Sequence, residues 1–177
     1  MGDEPFYIDE ICNALIAAVL PEEQRDFNQT ILYGKDTSVE EIVSTCKRFP
    51  MMADHQLVVV REAQELSRTI EQLTIYAEQP QPTTVLVLCF KNKKLDKRKK
   101  LSKAIQKNGT IVETKKLYDN KLPAWIEQRV RTLNRNIDFR AAAVLAESVG
   151  ADLSTLHNQL KKLCLVVSAG ESISVDH

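Results

Sequence analysis

The chain of 177 residues lacks the features that mark membrane, secreted and metal-binding proteins. It has no apolar run of about 18 residues, the length of a membrane-spanning helix, and its first residues are acidic where a signal peptide is basic. The cysteines form no C-x-x-C pair, and no histidine has an acid or cysteine at ligand spacing. We therefore expect a soluble, cytoplasmic protein without metal, cofactor or membrane contact. The four cysteines are expected to be small buried apolar residues rather than metal ligands or disulfide partners: Cys12, Cys46, Cys89 and Cys164.

A net charge of one sign is also missing, since 24 Lys and Arg balance 24 Asp and Glu. The local distribution is uneven, because residues 91–103 contain eight cations and the single acid Asp96. We call the following six cations the basic segment: Lys93, Lys94, Lys97, Arg98, Lys99 and Lys100. It is either a solvated helix face or a surface that contacts DNA phosphate or an acidic neighbouring protein, and no aromatic residue interleaves for base stacking.

Short apolar runs separated by helical patterns dominate the first two thirds of the chain. The runs predict strands at residues 30–34, 57–60, 85–90 and 110–114. Helices are predicted from Pro5 to Pro21, at 39–49, at 66–76 and in the lysine-rich segment. After residue 117 no further strand is predicted, and three helices follow at 123–133, 139–149 and 152–167. The pattern indicates an α/β domain with a parallel sheet flanked by helices (residues 1–120), and then a small three-helix domain (residues 121–177).

The residues that an active nucleotide site of the P-loop type needs are missing. Gly34-Lys35-Asp36 imitates the end of a P-loop, but no glycine lies five residues earlier and Asp36 would repel phosphate. We predict a strand-ending turn here. The 57–60 strand ends in Arg61-Glu62, where ATPases of the AAA+ group carry the Asp-Glu pair that holds magnesium. Arg61 is expected to be structural, and the chain to have no catalytic residues.

Two adjacent methionines, Met51 and Met52, follow Pro50 in the connection before the 57–60 strand. A proline ends the preceding helix, and such connections lie at the surface. The pair either packs into the protein's own core or remains exposed as a flexible apolar contact for a partner. Phe49 is expected to support the turn from inside.

Four segments together resemble the delta-subunit family of bacterial DNA polymerase III clamp loaders. They are Gly-Asp-Glu-Pro-Phe-Tyr-Ile-Asp-Glu at 2–10, the methionine connection and strand at 50–60, Asp-Lys-Arg-Lys-Lys-Leu within 94–101, and Asn-Gln-Leu-Lys-Lys-Leu at 158–163, where Gln159 replaces the usual acid. Family members have a strand before the first segment and a helical collar domain after the second domain. We therefore expect a truncated fragment whose missing central strand is compensated by a repacked edge or by a strand from another chain.

The resemblance implies an AAA+-like domain followed by a lid, and a role in DNA replication. Met51 and Met52 would bind a hydrophobic pocket of the sliding clamp (beta), whose ring the subunit opens for loading onto primed DNA without hydrolysing ATP. The implied partners are the clamp, the other clamp loader subunits, reached mainly through the absent collar, and primer-template DNA. Two alternatives remain: an active P-loop nucleotide-binding enzyme, and a nucleic-acid-binding module that acts through the basic segment.

Overall fold

The computed structural model of the protein describes residues 1–168 and 170–176. The chain divides into two compact units, Met1–Lys115 and Lys116–His177. The domain boundary placed at residue 120 from the sequence lies inside the first residues of the second unit. Among the described residues, no helix combines the length and the apolar character needed to cross a lipid bilayer.

The first unit is a parallel sheet flanked by helices, as predicted. Its α-helices are α1 (Pro5–Val19), α2 (Arg25–Asn28), α3 (Val39–Cys46), α4 (Thr74–Glu78) and α5 (Lys100–Asn108). Its strands are β1 (Gln29–Tyr33), β2 (Gln56–Arg61) and β3 (Thr84–Leu88). Short 3-10 helices occupy Glu22–Gln24, Ala63–Leu66 and Ile70–Leu73.

The strands pair in the order β1-β2-β3, all parallel. Leu57, Val58, Val59 and Val60 are fully buried in the central strand β2. A continuous apolar run is what a strand covered on both faces requires, and this sequence prediction is confirmed. Two apolar clusters cover the sheet, one containing Val58 and Val60 and the other containing Leu57 and Val59.

Capping side chains set the helix starts that the sequence indicated. Ser38 accepts a hydrogen bond from the Glu41 N–H at 3.2 Å and begins α3. Glu4 accepts from the Phe6 N–H at 3.2 Å beside Pro5, the first residue of α1. The predicted continuation of α3 to Phe49 is wrong, because the helix ends at Cys46.

The helix predicted at residues 66–76 is also largely wrong. The segment forms the Ile70–Leu73 3-10 helix and the short α4 instead. Threonine hydroxyls donate to carbonyls three residues back, from Thr69 to Leu66 at 3.4 Å and from Thr74 to Glu71 at 2.6 Å. Such bonds compete with regular helical pairing. The predicted inward positions are confirmed, because Leu66, Ile70, Leu73 and Tyr76 are all buried.

Three of the four cysteines are buried, namely Cys12, Cys46 and Cys89, and Cys164 is half-buried. All four are free thiols. Burial raises the pKa of Cys46 to about 11, because the thiolate would lose its hydration. The thiols of Cys12 and Cys89 share a hydrogen bond that lowers the pKa of Cys12 and raises that of Cys89.

The strand predicted at residues 110–114 is wrong. Only Thr114 makes a bridge, a parallel one to Gly2, which also bridges Lys91 beyond β3. The outer edge of β3 therefore faces a gap along Thr84–Leu88, whose residues are half-buried rather than buried.

The second unit contains three helices, α6 (Leu122–Thr132), α7 (Phe139–Val149) and α8 (Leu153–Val166). Two short strands, β4 (Asn136–Ile137) and β5 (Ser172–Ile173), pair in parallel. The expectation that no strand follows residue 117 is therefore wrong. These strands have two residues each, too few for an alternating pattern to be visible in the sequence. The core contains Leu122, Trp125, Ile126, Val130, Leu153, Leu156 and Leu160.

Replacement of Ile42 by alanine should destabilise the first unit. Its side chain is fully buried, and truncation of a buried isoleucine costs about 2–5 kcal/mol. Ile75→Ala is the matched control, because that side chain is 81% exposed and should cost less than about 0.5 kcal/mol. Chemical denaturation of both variants checks the core assignment, and equal destabilisation would contradict it.

Candidate functional site

The connection between α3 and β2, residues 47–55, exposes both methionines, and we call it the methionine turn. Met52 is 97% exposed and Met51 is 57% exposed. The backbone of Met52 is left-handed, with φ of +53°, an uncommon conformation for a side chain other than Gly, Asn or Asp. Of the two placements that the sequence left open, the packing of both methionines into the core is excluded.

The buried amide of Asn28, at the end of α2, holds the methionine turn by its backbone. Its Oδ1 accepts from the Met51 N–H at 2.6 Å, and its Nδ2 donates to the Met51 carbonyl at 2.9 Å. Nδ2 also lies 3.2 Å from the Gln24 carbonyl. Asn28 is only 4% exposed, so both polar ends of its amide are satisfied inside the protein. Met51 therefore has a fixed backbone and a free side chain.

A second buried amide, Gln56 at the start of β2, holds the preceding part of the turn. Its Nε2 lies 2.8 Å from Thr84 Oγ1, 3.3 Å from the Cys46 carbonyl, and in contact with the Arg48 carbonyl. The Thr84 hydroxyl donates to the Cys46 carbonyl at 2.7 Å. The end of α3 and the first residues of the turn are thus tied to β2 and β3.

Phe49 does not support the turn from inside, so that expectation is wrong. Its side chain is 79% exposed, because α3 ends at Cys46 and the apolar stripe of the helix does not reach residue 49. Phe27, next to the anchoring Asn28, is 73% exposed. Sequence reasoning missed Asn28, since its link to the turn is a contact across 23 residues.

Arg61, at the carboxyl end of β2, is part of a charge network with α1. Its Nη1 lies 3.4 Å from Asp9 Oδ1, and its Nη2 lies 3.3 Å from Asn13 Oδ1. Lys91 Nζ lies 2.7 Å from the other oxygen of Asp9. One carboxylate thus pairs with two cations, Arg61 and Lys91.

Gly34-Lys35-Asp36 forms the predicted strand-ending turn. The Asp36 N–H donates to the Tyr33 carbonyl at 2.9 Å, and the Gly34 N–H donates to the Arg61 carbonyl at 2.8 Å. A Cβ at residue 34 would lie 2.3 Å from the Glu62 carbonyl oxygen, so only glycine fits. Gly34 therefore allows the backbone of the turn to lie close to the backbone of Glu62.

Four cations of the basic segment are paired with acids, three of which come from distant parts of the chain. Lys94 pairs with Asp3, Lys97 with Glu113, Arg98 with Asp96 and Lys99 with Glu71, at 2.9, 2.6, 2.9 and 3.8 Å. The bidentate hydrogen bonds from Arg98 lower the pKa of Asp96 to about 2. Within residues 1–168 and 170–176, no acid lies within ion-pair distance of Lys93 or Lys100. The local excess of positive charge is therefore smaller than the sequence alone indicates.

The family model described as DNA polymerase III, delta subunit, matches residues 1–115. The chain belongs to this family. It is 27% identical over 184 residues to the DNA polymerase III subunit delta of Bacillus subtilis (strain 168), a match that covers 99% of this chain and 53% of the relative. It is also similar to the solved structure of the Bacillus subtilis DNA clamp loader delta protein, with a TM-score of 0.74 and 26% identity over 99% of this chain and 55% of that one. The chain thus spans about half the length of these delta proteins.

Replacement of Asn28 by alanine should loosen the methionine turn. The change removes both hydrogen bonds to Met51 and leaves its backbone groups without their buried partner, at a cost of about 1–3 kcal/mol. Hydrogen exchange at the Met51 amide should accelerate. The control Asn108→Ala removes an exposed amide that donates to the Ala77 and Glu78 carbonyls and should leave Met51 exchange unchanged. An unchanged rate in Asn28→Ala would contradict the anchoring role.

Proposed function

We propose that this delta-family chain binds the sliding clamp through Met51 and Met52 and favours the opened ring. The observation that carries the proposal is the exposure of both side chains, 57% and 97%, on a turn whose backbone is held by Asn28. Binding to a fixed backbone orders only the side chains, which lowers the entropic cost of association.

The energetics of two methionines are sufficient for a hot spot. Full burial of a methionine side chain contributes about 1.5–3 kcal/mol, and loss of its rotamer freedom costs up to about 2 kcal/mol. Met52 has nearly its whole surface left to bury, so its share is the larger. A net gain of about 2 kcal/mol from the pair reaches the level that defines a hot spot.

Ring opening requires that the chain bind the open clamp more tightly than the closed clamp. A ligand shifts a conformational equilibrium only by its differential affinity for the two states. A rigid turn meets this requirement better than a flexible loop, because a flexible loop would follow its pocket in both ring states. Access to the turn would be controlled by the other loader subunits, and the opened ring would be loaded onto primer-template DNA.

The chain is proposed to act without hydrolysing ATP, as a non-catalytic subunit. Support comes from Gly34-Lys35-Asp36, a tight turn against Glu62 with an acid where phosphate would bind. Further support comes from Arg61, which pairs with Asp9 where a magnesium-binding acid would be needed. These features disfavour the alternative hypothesis of an active P-loop enzyme. Micromolar binding of ATP with magnesium would favour that alternative.

Replacement of Met51 and Met52 by alanine should weaken binding to the sliding clamp of the same organism. The reduced apolar burial, about 2 kcal/mol or more, corresponds to a roughly thirty-fold or larger rise in Kd. The unfolding midpoint should change little, because the side chains contribute little to the core. Calorimetric titration with the clamp and thermal unfolding measure the two quantities.

Ile75→Ala is the control for this pair, since it removes another exposed apolar side chain from the same unit. It should leave clamp affinity unchanged. The proposal fails if the double variant binds the clamp as tightly as the wild type, or if Ile75→Ala weakens binding to the same extent.

A second proposed contact is that of the basic segment with DNA phosphate. Lys93 and Lys100 support this contact because both are exposed. In the described part of the chain, neither has an acid within ion-pair distance. An acidic face of another subunit is the competing partner for the same charges. A titration with duplex DNA alone separates the two candidate partners. DNA should bind with a steep salt dependence only if the basic segment contacts phosphate.

Replacement of Lys93 and Lys100 by glutamine should weaken binding to duplex DNA. The slope of log affinity against log salt should fall by about 0.9 for each phosphate that the variant no longer neutralises. The matched control replaces Lys97 and Lys99, whose charges are already paired with Glu113 and Glu71, and should change the slope less. Wild-type protein that binds DNA without a salt slope would remove this contact from the proposal.

A further inference from the structure

Two of the free thiols, those of Cys12 and Cys89, lie against each other in the first unit, and we call them the thiol pair. Cys12 is in α1, and Cys89 directly follows β3. Both side chains pack in the apolar cluster that contains Leu57 and Val59 of β2. The two thiols share a hydrogen bond. Their sulfur atoms are therefore in contact, although the residues are distant in the sequence.

Backbone hydrogen bonds fix the position of Cys89. Its N–H donates to the Val60 carbonyl at 2.9 Å, and its carbonyl accepts from the Ala63 N–H at 2.9 Å. Val60 belongs to β2, and Ala63 begins the 3-10 helix that follows it. The position of Cys89 is therefore set by the central strand rather than by the outer edge of β3.

Side-chain contacts on both sides of the other cysteine hold α1 against the same segment. Lys91, two residues after Cys89, has its Nζ 2.7 Å from Asp9 Oδ2. Asp9 lies about one helical turn before the cysteine of α1. Asn13, the residue after that cysteine, has its Oδ1 3.3 Å from Arg61 Nη2. The two segments that carry the thiol pair are thus joined by polar contacts as well as by apolar packing.

The surroundings of Cys12 favour its thiolate form. The hydrogen bond from Cys89 lowers the pKa of Cys12 to about 7, against the opposing effect of burial. The positive charges of Arg61 and Lys91 lower it further. The thiolate is the nucleophilic form of cysteine, and cysteines that react with oxidants lie beside cations. A second thiol in contact is the usual partner that resolves the first oxidation product.

The other two cysteines provide internal standards, because burial raises the pKa of each thiol. The pKa of Cys46 is raised to about 11. Cys164 is half-buried in the second unit, and its pKa is raised as well. Both should be largely protonated near neutral pH and should react slowly with oxidants.

We propose that the thiol pair is a site of oxidation by hydrogen peroxide, at which Cys12 and Cys89 form an intramolecular disulfide. The Cys12 thiolate attacks one peroxide oxygen, the O–O bond breaks, and the other oxygen leaves as hydroxide, which takes up a proton to become water. The Cys89 sulfur then attacks the sulfenic acid, the S–O bond breaks, and a second water leaves. The pair loses two electrons and two protons, and the peroxide is reduced to two molecules of water.

Peptide mapping of the wild-type chain tests the proposal directly, because trypsin places each of the four cysteines in a separate peptide. Cys12 lies in residues 1–25 and Cys89 in residues 69–91. The folded chain is treated with hydrogen peroxide, and the remaining thiols are alkylated in denaturant. We expect these two peptides to be joined, with Cys12 and Cys89 lost at least tenfold faster than Cys46 or Cys164. Dithiothreitol should restore both thiols.

Cys89→Ser tests the order of the two steps. Without the second thiol, oxidation should stop at the sulfenic acid of Cys12, which dimedone labels, and no joined peptides should form. The matched control Cys46→Ser removes another buried thiol of the same unit and should leave the yield of joined peptides unchanged.

Two results would overturn the proposal. In the first, the thiol pair stays reduced in the folded chain at a peroxide dose that oxidises the same cysteines in the denatured chain. In the second, the joined peptides come only from disulfides between two copies of the chain, which electrophoresis without reductant reveals as covalent dimers. Neither result depends on clamp binding.

Discussion

The complete burial of residues 57–60 in β2 constrains the rest of the first unit, because the polar residues of the strand are confined to its two ends. Gln56 at the start binds carbonyls at the end of α3 and the hydroxyl of Thr84, and thereby fixes where the methionine turn begins. Arg61 at the other end pairs with Asp9 of α1. The amino end of the strand thus supports the exposed methionine turn, and the carboxyl end is joined to α1 by an ion pair.

The methionine turn combines two properties that rarely occur in one loop, a fixed backbone and solvated apolar side chains. Asn28 fixes the backbone through two hydrogen bonds to Met51. Met52 has a left-handed backbone, and its side chain is almost fully exposed. An exposed flexible apolar loop would bind with a larger entropic cost. A rigid one can distinguish between two shapes of the same partner, as the proposed opening of the clamp ring requires.

Features that depend on local periodicity could be predicted from the sequence. Features that depend on contacts between distant residues could not. The β2 strand, the Ser38 cap and the turn at Gly34 follow from neighbouring residues and were predicted correctly. The outward position of Phe49 depends on where α3 ends, and the anchor at Asn28 joins segments 23 residues apart. The strand at 110–114 was predicted from a short apolar run, but a strand also needs a neighbour, and only Thr114 has one.

The ion pairing of the basic segment could not be predicted from the sequence for the same reason. The acids that pair with Lys94, Lys97 and Lys99 are Asp3, Glu113 and Glu71. All three lie outside the lysine-rich stretch, and the fold brings them to it. The unpaired charge of the basic segment could therefore not be counted from the sequence.

The most direct test of clamp binding through the methionine turn is methyl NMR of protein labelled with ¹³C at its methionine methyl groups. The chain has three methionines, and Met1, packed against the core of the first unit, serves as an internal reference. On titration with the sliding clamp, the Met51 and Met52 methyl signals should shift or broaden at substoichiometric clamp, while that of Met1 stays nearly unchanged. Unperturbed Met51 and Met52 signals in a sample where the clamp is demonstrably bound would contradict the account.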